Sequence, residues 1–172
     1  MWWCKRGPLL GMALLLAGCG FHPLYAPRSE SGFDADLASI KVNTIADRQG
    51  QVLAIALRDA LNPTGAHVDT RYTLDVQLAS TRQDIGLRAD GTASRSEVTM
   101  TAKFVLREAK ANKAVFQGTT HSVSSYDVLT DNYATVVASQ NAQERTVQEV
   151  GDDILARLQL YVSKHRSAPA PS

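Results

Sequence analysis

Arg82, Arg88 and Arg95 crowd one stretch of the chain, on either side of Asp90-Gly91. A guanidinium offers a planar fork of donors, so three of them around one long hairpin could grip phosphates. On composition alone a solvated loop is the commoner meaning. Thr99, Thr101 and Lys103 alternate along one segment, and Thr119 and His121 along the next. As paired strands they would form a polar outer sheet face, and His121 among Thr119, Thr120 and Ser122 reads first as part of a solvated surface. Asp152-Asp153 resembles a carboxylate pair, but helical neighbours point about 100° apart, which favours a plain helix surface. His22, His67, His121 and His165 are scattered, with no Cys or His at metal-ligand spacing. Gly-x-Ser-x-Gly, His-Glu-x-x-His, the P-loop and Gly-x-Gly-x-x-Gly are all missing from the sequence. These residues offer binding chemistry, so neither an enzyme nor a cofactor or metal is expected.

The N-terminus carries the one covalent chemistry in view. Lys5 and Arg6 precede an apolar run from Leu9 to Ala17, too short for a bilayer core that needs about 20 residues. The layout is that of a secretory signal. Leu16-Ala17-Gly18-Cys19 resembles the lipobox of bacterial lipoproteins, in which cleavage falls just before a cysteine whose thiol carries a diacylglycerol and whose amine carries a further acyl chain. Residues 1–18 are thus expected to be removed and Cys19 acylated. Gly20 stands where the inner-membrane retention signal usually has Asp, which favours the outer membrane. Cleavage also removes Cys4, so the mature chain would hold no disulfide.

The 172 residues include 18 Lys and Arg against 17 Asp and Glu, with 44% hydrophobic and 20% charged residues. That is ordinary globular composition, and the near-neutral balance excludes a basic field for nucleic acid. A mature chain of this size can bury about 70% of its unfolded surface, enough for one core. Residues 26–36 (APRSESGFDAD) read as a tether, giving an acylated N-terminus and tether over 19–36. A domain follows over 37–165, then a loose tail over 166–172.

Within the domain, Leu37 to Ile45 puts Ile40, Val42 and Thr44 on one face of a first strand. Asp47 offers an N-cap to a helix with Val52, Leu53, Ala56, Leu57, Ala60 and Leu61 at helical spacing, ended by Asn62-Pro63. Tyr72, Leu74, Val76 and Leu78 alternate with polar residues, as do Val98, Met100, Ala102, Phe104 and Leu106. A weaker strand covers Ala114 to Tyr126. A long helix follows over about Asp131 to Lys164, striped by Val147, Val150, Ile154, Leu158 and Tyr161. The order β-α-β-β-β-α predicts a parallel crossover followed by an antiparallel meander. Both helices carry one apolar stripe, so the expected fold is an α/β (α+β) two-layer sandwich, a four-stranded mixed sheet with two helices on one face. Leu57, Phe104 and Leu158 should be buried.

Taken together these features resemble the LptE family of outer-membrane lipopolysaccharide-assembly lipoproteins. The residues that carry the resemblance are Leu16-Ala17-Gly18-Cys19-Gly20-Phe21-His22-Pro23-Leu24-Tyr25, then Ile45, Asp47-Arg48 and the Leu53/Leu57/Leu61 helix. Leu87-Arg88-Ala89-Asp90-Gly91 matches its long hairpin. Ser125-Tyr126 through Tyr133-Ala134, with Ala138, Arg145 and Ile154, matches its last helix. The resemblance implies a protein that is no enzyme, that plugs and helps assemble the LptD β-barrel, and that binds lipopolysaccharide. It also implies a lipid-anchored place on the periplasmic side of the outer membrane. Arg88 falls at the family's ligand-contacting basic position before the hairpin glycine, with Arg95 and Arg82 beside it. A second basic position of the family falls near Ser139, which is uncharged. Two other readings stay open, an auxiliary lipoprotein of an ABC-type lipid transporter and a small periplasmic hydrolase.

Overall fold

A computed structural model describes residues 31–87, 89 and 91–166. Cys19, the signal, most of the tether, Arg88, Asp90 and the tail from 167 onward lie outside the described residues. The elements in chain order are α1 (Ser31–Ala38), β1 (Ile40–Val42), α2 (Asp47–Leu61), β2 (Tyr72–Leu87), β3 (Ala93–Glu108), β4 (Ala114–Asp127) and α3 (Asn132–Arg166). The sheet order is β1-β2-β3-β4, with β1 parallel to β2 and the other pairs antiparallel. This is the expected mixed sheet and α+β architecture, with one helix more than predicted.

That extra helix corrects the reading of the chain's start. Residues 31–36 are helical, and Leu37 and Ala38 belong to α1, not to the first strand. Leu37 is buried and Phe33, one turn earlier, packs against the same core, so a single apolar pair docks the helix. The Ser39 amide donates to the Ala35 carbonyl at 3.0 Å and its hydroxyl to the Asp36 carbonyl at 2.6 Å, which closes α1. Arg71 ties Asp36 at 2.7 Å. The strand left over is short, and Thr44 lies beyond it, exposed.

The start of α2 also differs from expectation. Ala46 is the N-cap and makes no side-chain cap bond, while Asp47 is the first helical residue with φ of 67°. Packing fixes this end. Gly50 lies against Ile45, where a Cβ would come within 2.6 Å of the Ile45 methyl. Ile45 and Gly50 occupy the two positions of a hydrophobic staple, and the missing side chain lets Ile45 lie flat on the first turn. Further along, α2 buries Leu53, Ala54, Leu57 and Leu61, a narrower stripe than the spacing predicted. Ala56, Ala60 and Val52 are exposed. Asn62 ends the helix as anticipated.

Strand alternation builds the sheet's inner layer. Val98, Met100, Ala102, Phe104 and Leu106 are all buried, as are Leu74 and Val76 on β2. All but Val98 meet Val147, Val150, Ile154, Leu158 and Val162 of α3 in one cluster with α2 and β1. Leu57, Phe104 and Leu158 are each at most 1% exposed. A smaller cluster of Val98, Tyr126 and Ala142 extends the inner layer toward the β2–β3 hairpin. At the opposite end Phe116 stacks on Tyr161 at 5.1 Å, and His165 follows at 4.0 Å. Burial there, with Tyr72 and Glu108 nearby, raises the Tyr161 phenol above its ordinary pKa. The β3–β4 turn passes through Asn112 at φ 50°, a left-handed position that Asn tolerates better than most residues.

Candidate functional site

Three features could bind something: the outer sheet face, the β2–β3 hairpin, and a cleft under the helices. The outer face follows from the register. Thr101 sits opposite His121, Lys103 opposite Thr119 and Thr99 opposite Val123. On the other side of β3, Gln77 faces Lys103, Ala79 faces Thr101 and Thr81 faces Thr99. The inner-layer residues that meet the helices are the ones between these, so the helices cover the opposite face. The polar set read from alternation is therefore brought together as cross-strand rows. Toward one end Asp75 joins it, accepting from Arg107 Nε at 3.2 Å and from Asn43 Nδ2 at 2.6 Å. A shallow concavity of about 820 Å³ spans this end, with Lys103, Arg107, Gln117 and Thr119 in its lining.

The hairpin separates two arginines that the sequence places close together. Arg82 faces Val98 across the ladder and points to the inner layer, its guanidinium 5.6 Å over the Tyr126 ring. It donates to Ser96 Oγ at 3.4 Å and approaches Asp84 at 3.6 Å. Arg95 lies on the outer face and pairs with Asp127 at 3.2 Å. The ladder shifts between Asp84 and Gly86, so the hairpin's end is offset from its base. A cation thus stands on each face, and the two do not converge on one point. Both arginines are more than half exposed, so each pair contributes little to stability.

The cleft was not foreseen. It has a volume of about 390 Å³ and lies between the first turns of α2, the N-terminal half of α3 and the floor made by Arg82 and Tyr126. Arg48 and Val52 border it from α2, and Val136, Ser139 and Gln143 from α3, with Glu144 also in the lining. Gln49 Nε2 donates to Gln143 Oε1 at 2.6 Å across it, and Gln143 Nε2 to Ser139 Oγ at 3.3 Å. Tyr126 is 5% exposed, yet its hydroxyl is buried without a hydrogen-bond partner. Leaving such a group unpaired costs about 1–3 kcal/mol. One sequence signal pointed here. The α3 stripe that is apolar from Val147 onward is polar one and two turns earlier, at Ser139, Gln140 and Gln143.

Other sequence candidates stay apart. Asp153 pairs with Arg157 one turn on at 2.9 Å and Asp152 is exposed, so the two acids are helix surface. Ser122 bonds Glu149, and Arg145 donates to Ser124 Oγ at 2.9 Å, tying α3 to β4. Among the described residues, no three His, Cys, Asp or Glu groups gather as for a metal, and no helix is long and apolar enough to cross a membrane.

Fold and surface together define a small α+β domain whose sheet is packed by helices on one face and, among the described residues, presents polar rows on the other. Comparison with known proteins gives it a family. The chain belongs to the LptE family, described as lipopolysaccharide-assembly, whose model matches residues 37–158. A solved structure from Caulobacter crescentus CB15, assigned as a lipoprotein, is 31% identical, with a TM-score of 0.62 over 81% of this chain and 99% of its own. The rare lipoprotein B of Shewanella oneidensis shares the fold at 11% identity, with a TM-score of 0.51 over 75% of this chain and 98% of its own. No curated protein sequence matches the chain.

Proposed function

We propose that this protein is an acylated outer-membrane lipoprotein that fills and organises the LptD β-barrel, assisting its assembly and the delivery of lipopolysaccharide to the outer leaflet. Membership of a lipopolysaccharide-assembly family sets the process. The observation that carries the partner is the uncovered sheet face, where cross-strand rows of Thr, Gln, Lys and His run along strands of 14 and 16 residues. A barrel wide enough to pass a glycolipid has an aqueous, polar lumen, and a plug must present a matching polar surface. An apolar face of that size would instead favour aggregation. The reading needs no turnover, only contact.

The test is affinity capture of the tagged full-length protein from detergent-solubilised outer membranes, followed by identification of what accompanies it. A large outer-membrane β-barrel is expected, and its assembled amount should fall when this protein is depleted. Capture of an inner-membrane transporter instead, with normal barrel levels and an intact lipopolysaccharide surface after depletion, would replace this reading by the transporter-auxiliary one.

The hairpin is proposed as a lipopolysaccharide contact through Arg88, together with Arg95 on the outer face and Arg82 on the inner face of the strands that lead into it. Arg88→Asp is expected to weaken lipopolysaccharide binding several-fold with an unchanged far-UV circular dichroism spectrum, because it reverses a charge beyond the strands that hold the core. Equal binding by variant and parent would return Arg88 to a solvated loop.

A further inference from the structure

We infer that two copies of this chain pair through β4, antiparallel and edge to edge, about a two-fold axis at Val123. The first argument is the edge itself. β4 ends the sheet, so among the described residues nothing pairs with the far side of its backbone. Such an edge is a ready template for another strand, and proteins blunt it with charge, proline or a bulge. The other long edge here is blunted. Beyond the three residues paired with β1, β2 carries Arg82 and Asp84, and its ladder shifts between Asp84 and Leu87. β4 lacks these devices over most of its length. Ala114 to Tyr126 contains no Asp, Glu, Lys, Arg or Pro, and the register against β3 runs unbroken from Phe116 to Asp127.

The second argument is Val123, which stands on the outer face of β4 between His121 and Ser125 and is 46% exposed. A two-fold centred there sets Val123 against its own copy, Ser122 against Ser124, and His121 against Ser125. Directly opposed side chains lie about 4.5–5.5 Å apart at Cβ, so the two valines cover each other. The third argument is charge, and it selects this centre. On the inner face Arg145 donates to Ser124 Oγ at 2.9 Å, and Ser122 donates to Glu149. Both α3 side chains are exposed. Since Ser122 opposes Ser124 of the second copy, Glu149 of each chain meets Arg145 of the other. The axis stands normal to the sheet, so both contacts form at once and the two α3 helices lie side by side. A centre at Ser122 would set Glu149 against its own copy, and one at Ser124 would do the same to Arg145. Centres at His121 or Ser125 oppose Ser122 to Thr120 or Val128 and lose both ion pairs.

One strand pair makes a small interface, of the weak and transient class. The inference goes beyond the barrel reading and does not rest on it, because it concerns protein with no barrel present. Sedimentation velocity on residues 19–172 carrying Cys19→Ala, which keeps acyl chains from driving association, is expected to show monomer passing to dimer in the micromolar range. Val123→Lys should weaken the dimer about ten-fold or more, since it sets two like charges opposite each other. Its melting temperature should hold, because the site is exposed. Arg145→Glu and Glu149→Arg should each weaken dimerisation, and the double variant should restore it. Cross-linking reads the register. Val123→Cys, the one thiol in that chain, should give a disulfide-linked dimer on mild oxidation. Ser125→Cys lies four residues from its copy along the strands, about 14 Å, and should not. A monomer up to the millimolar range, a dimer that Val123→Lys leaves intact, or preferential cross-linking through Ser125→Cys would overturn the inference. Assemblies that grow beyond the dimer would mean pairing of β4 with the free edge of β2, and would overturn it too. Failure to capture a barrel would fail the proposed function and leave this inference standing.

Discussion

Phe104→Ala is expected to lower the free energy of unfolding by about 3–5 kcal/mol, the largest stability loss from one side chain in this domain. The ring is 1% exposed at the centre of the longest inward-facing row. Across the ladder it faces Gly118, and a Cβ built there would fall 2.7 Å from the ring, so the ring occupies the space a side chain would otherwise take. Phe116 touches it at 5.7 Å between centroids. Truncation leaves a void floored by a residue with no side chain to move in, which prevents collapse and keeps the cost at the high end of the range. Urea unfolding followed by circular dichroism measures it. Gly118→Ala supplies the reciprocal test. It should destabilise the parent, yet cost less in the Phe104→Ala background, because there the added methyl enters the void. Two touching residues must show such non-additivity. Additive losses, or a Phe104→Ala protein as stable as the parent, would disprove the register of β3 against β4.

Cys19→Ala is expected to abolish acylation and release the protein from the membrane, an all-or-none effect. Once residues 1–18 are removed, Cys19 is the mature chain's one cysteine, so nothing else offers a thiol. Each buried methylene contributes about 0.8 kcal/mol, and a single chain binds only reversibly, so several chains on one residue would give a lasting anchor. Metabolic palmitate labelling reads the modification and membrane fractionation reads the location. Labelling that persists in the variant would place the anchor at another residue and with it the lipobox reading would fall.

The order of the elements and the core were legible because their signals are local. Alternation along Val98 to Leu106 and three-four spacing along Val147 to Leu158 depend only on how successive side chains point. The structure buries these residues as the pattern demands. The start of the domain was misread for the same reason. Residues 31–36 have a tether's composition, and only Leu37 docking into a core made by distant strands turns them into a helix. Asp47 carries the usual cap chemistry, but the contact of Ile45 with Gly50 sets the helix start one residue earlier.

The candidate sites divide along the same line. The polar face of Thr99, Thr101 and Lys103 was determined by the sequence, since one strand's alternation assigns all three to one side. Whether arginines close in sequence share a face was not, because strands pleat with a period of two and an offset ladder lies between them. Tertiary structure alone sent Arg82 inward over Tyr126 and Arg95 outward to Asp127. It alone assembled the cleft, whose walls come from α2, β2, β4 and α3, separated by up to about a hundred residues of chain. A pattern that repeats every two or four residues reports what one element presents to its surroundings. Which elements then meet is decided by the joint burial of their apolar faces, and a site built where they meet takes its shape from that packing.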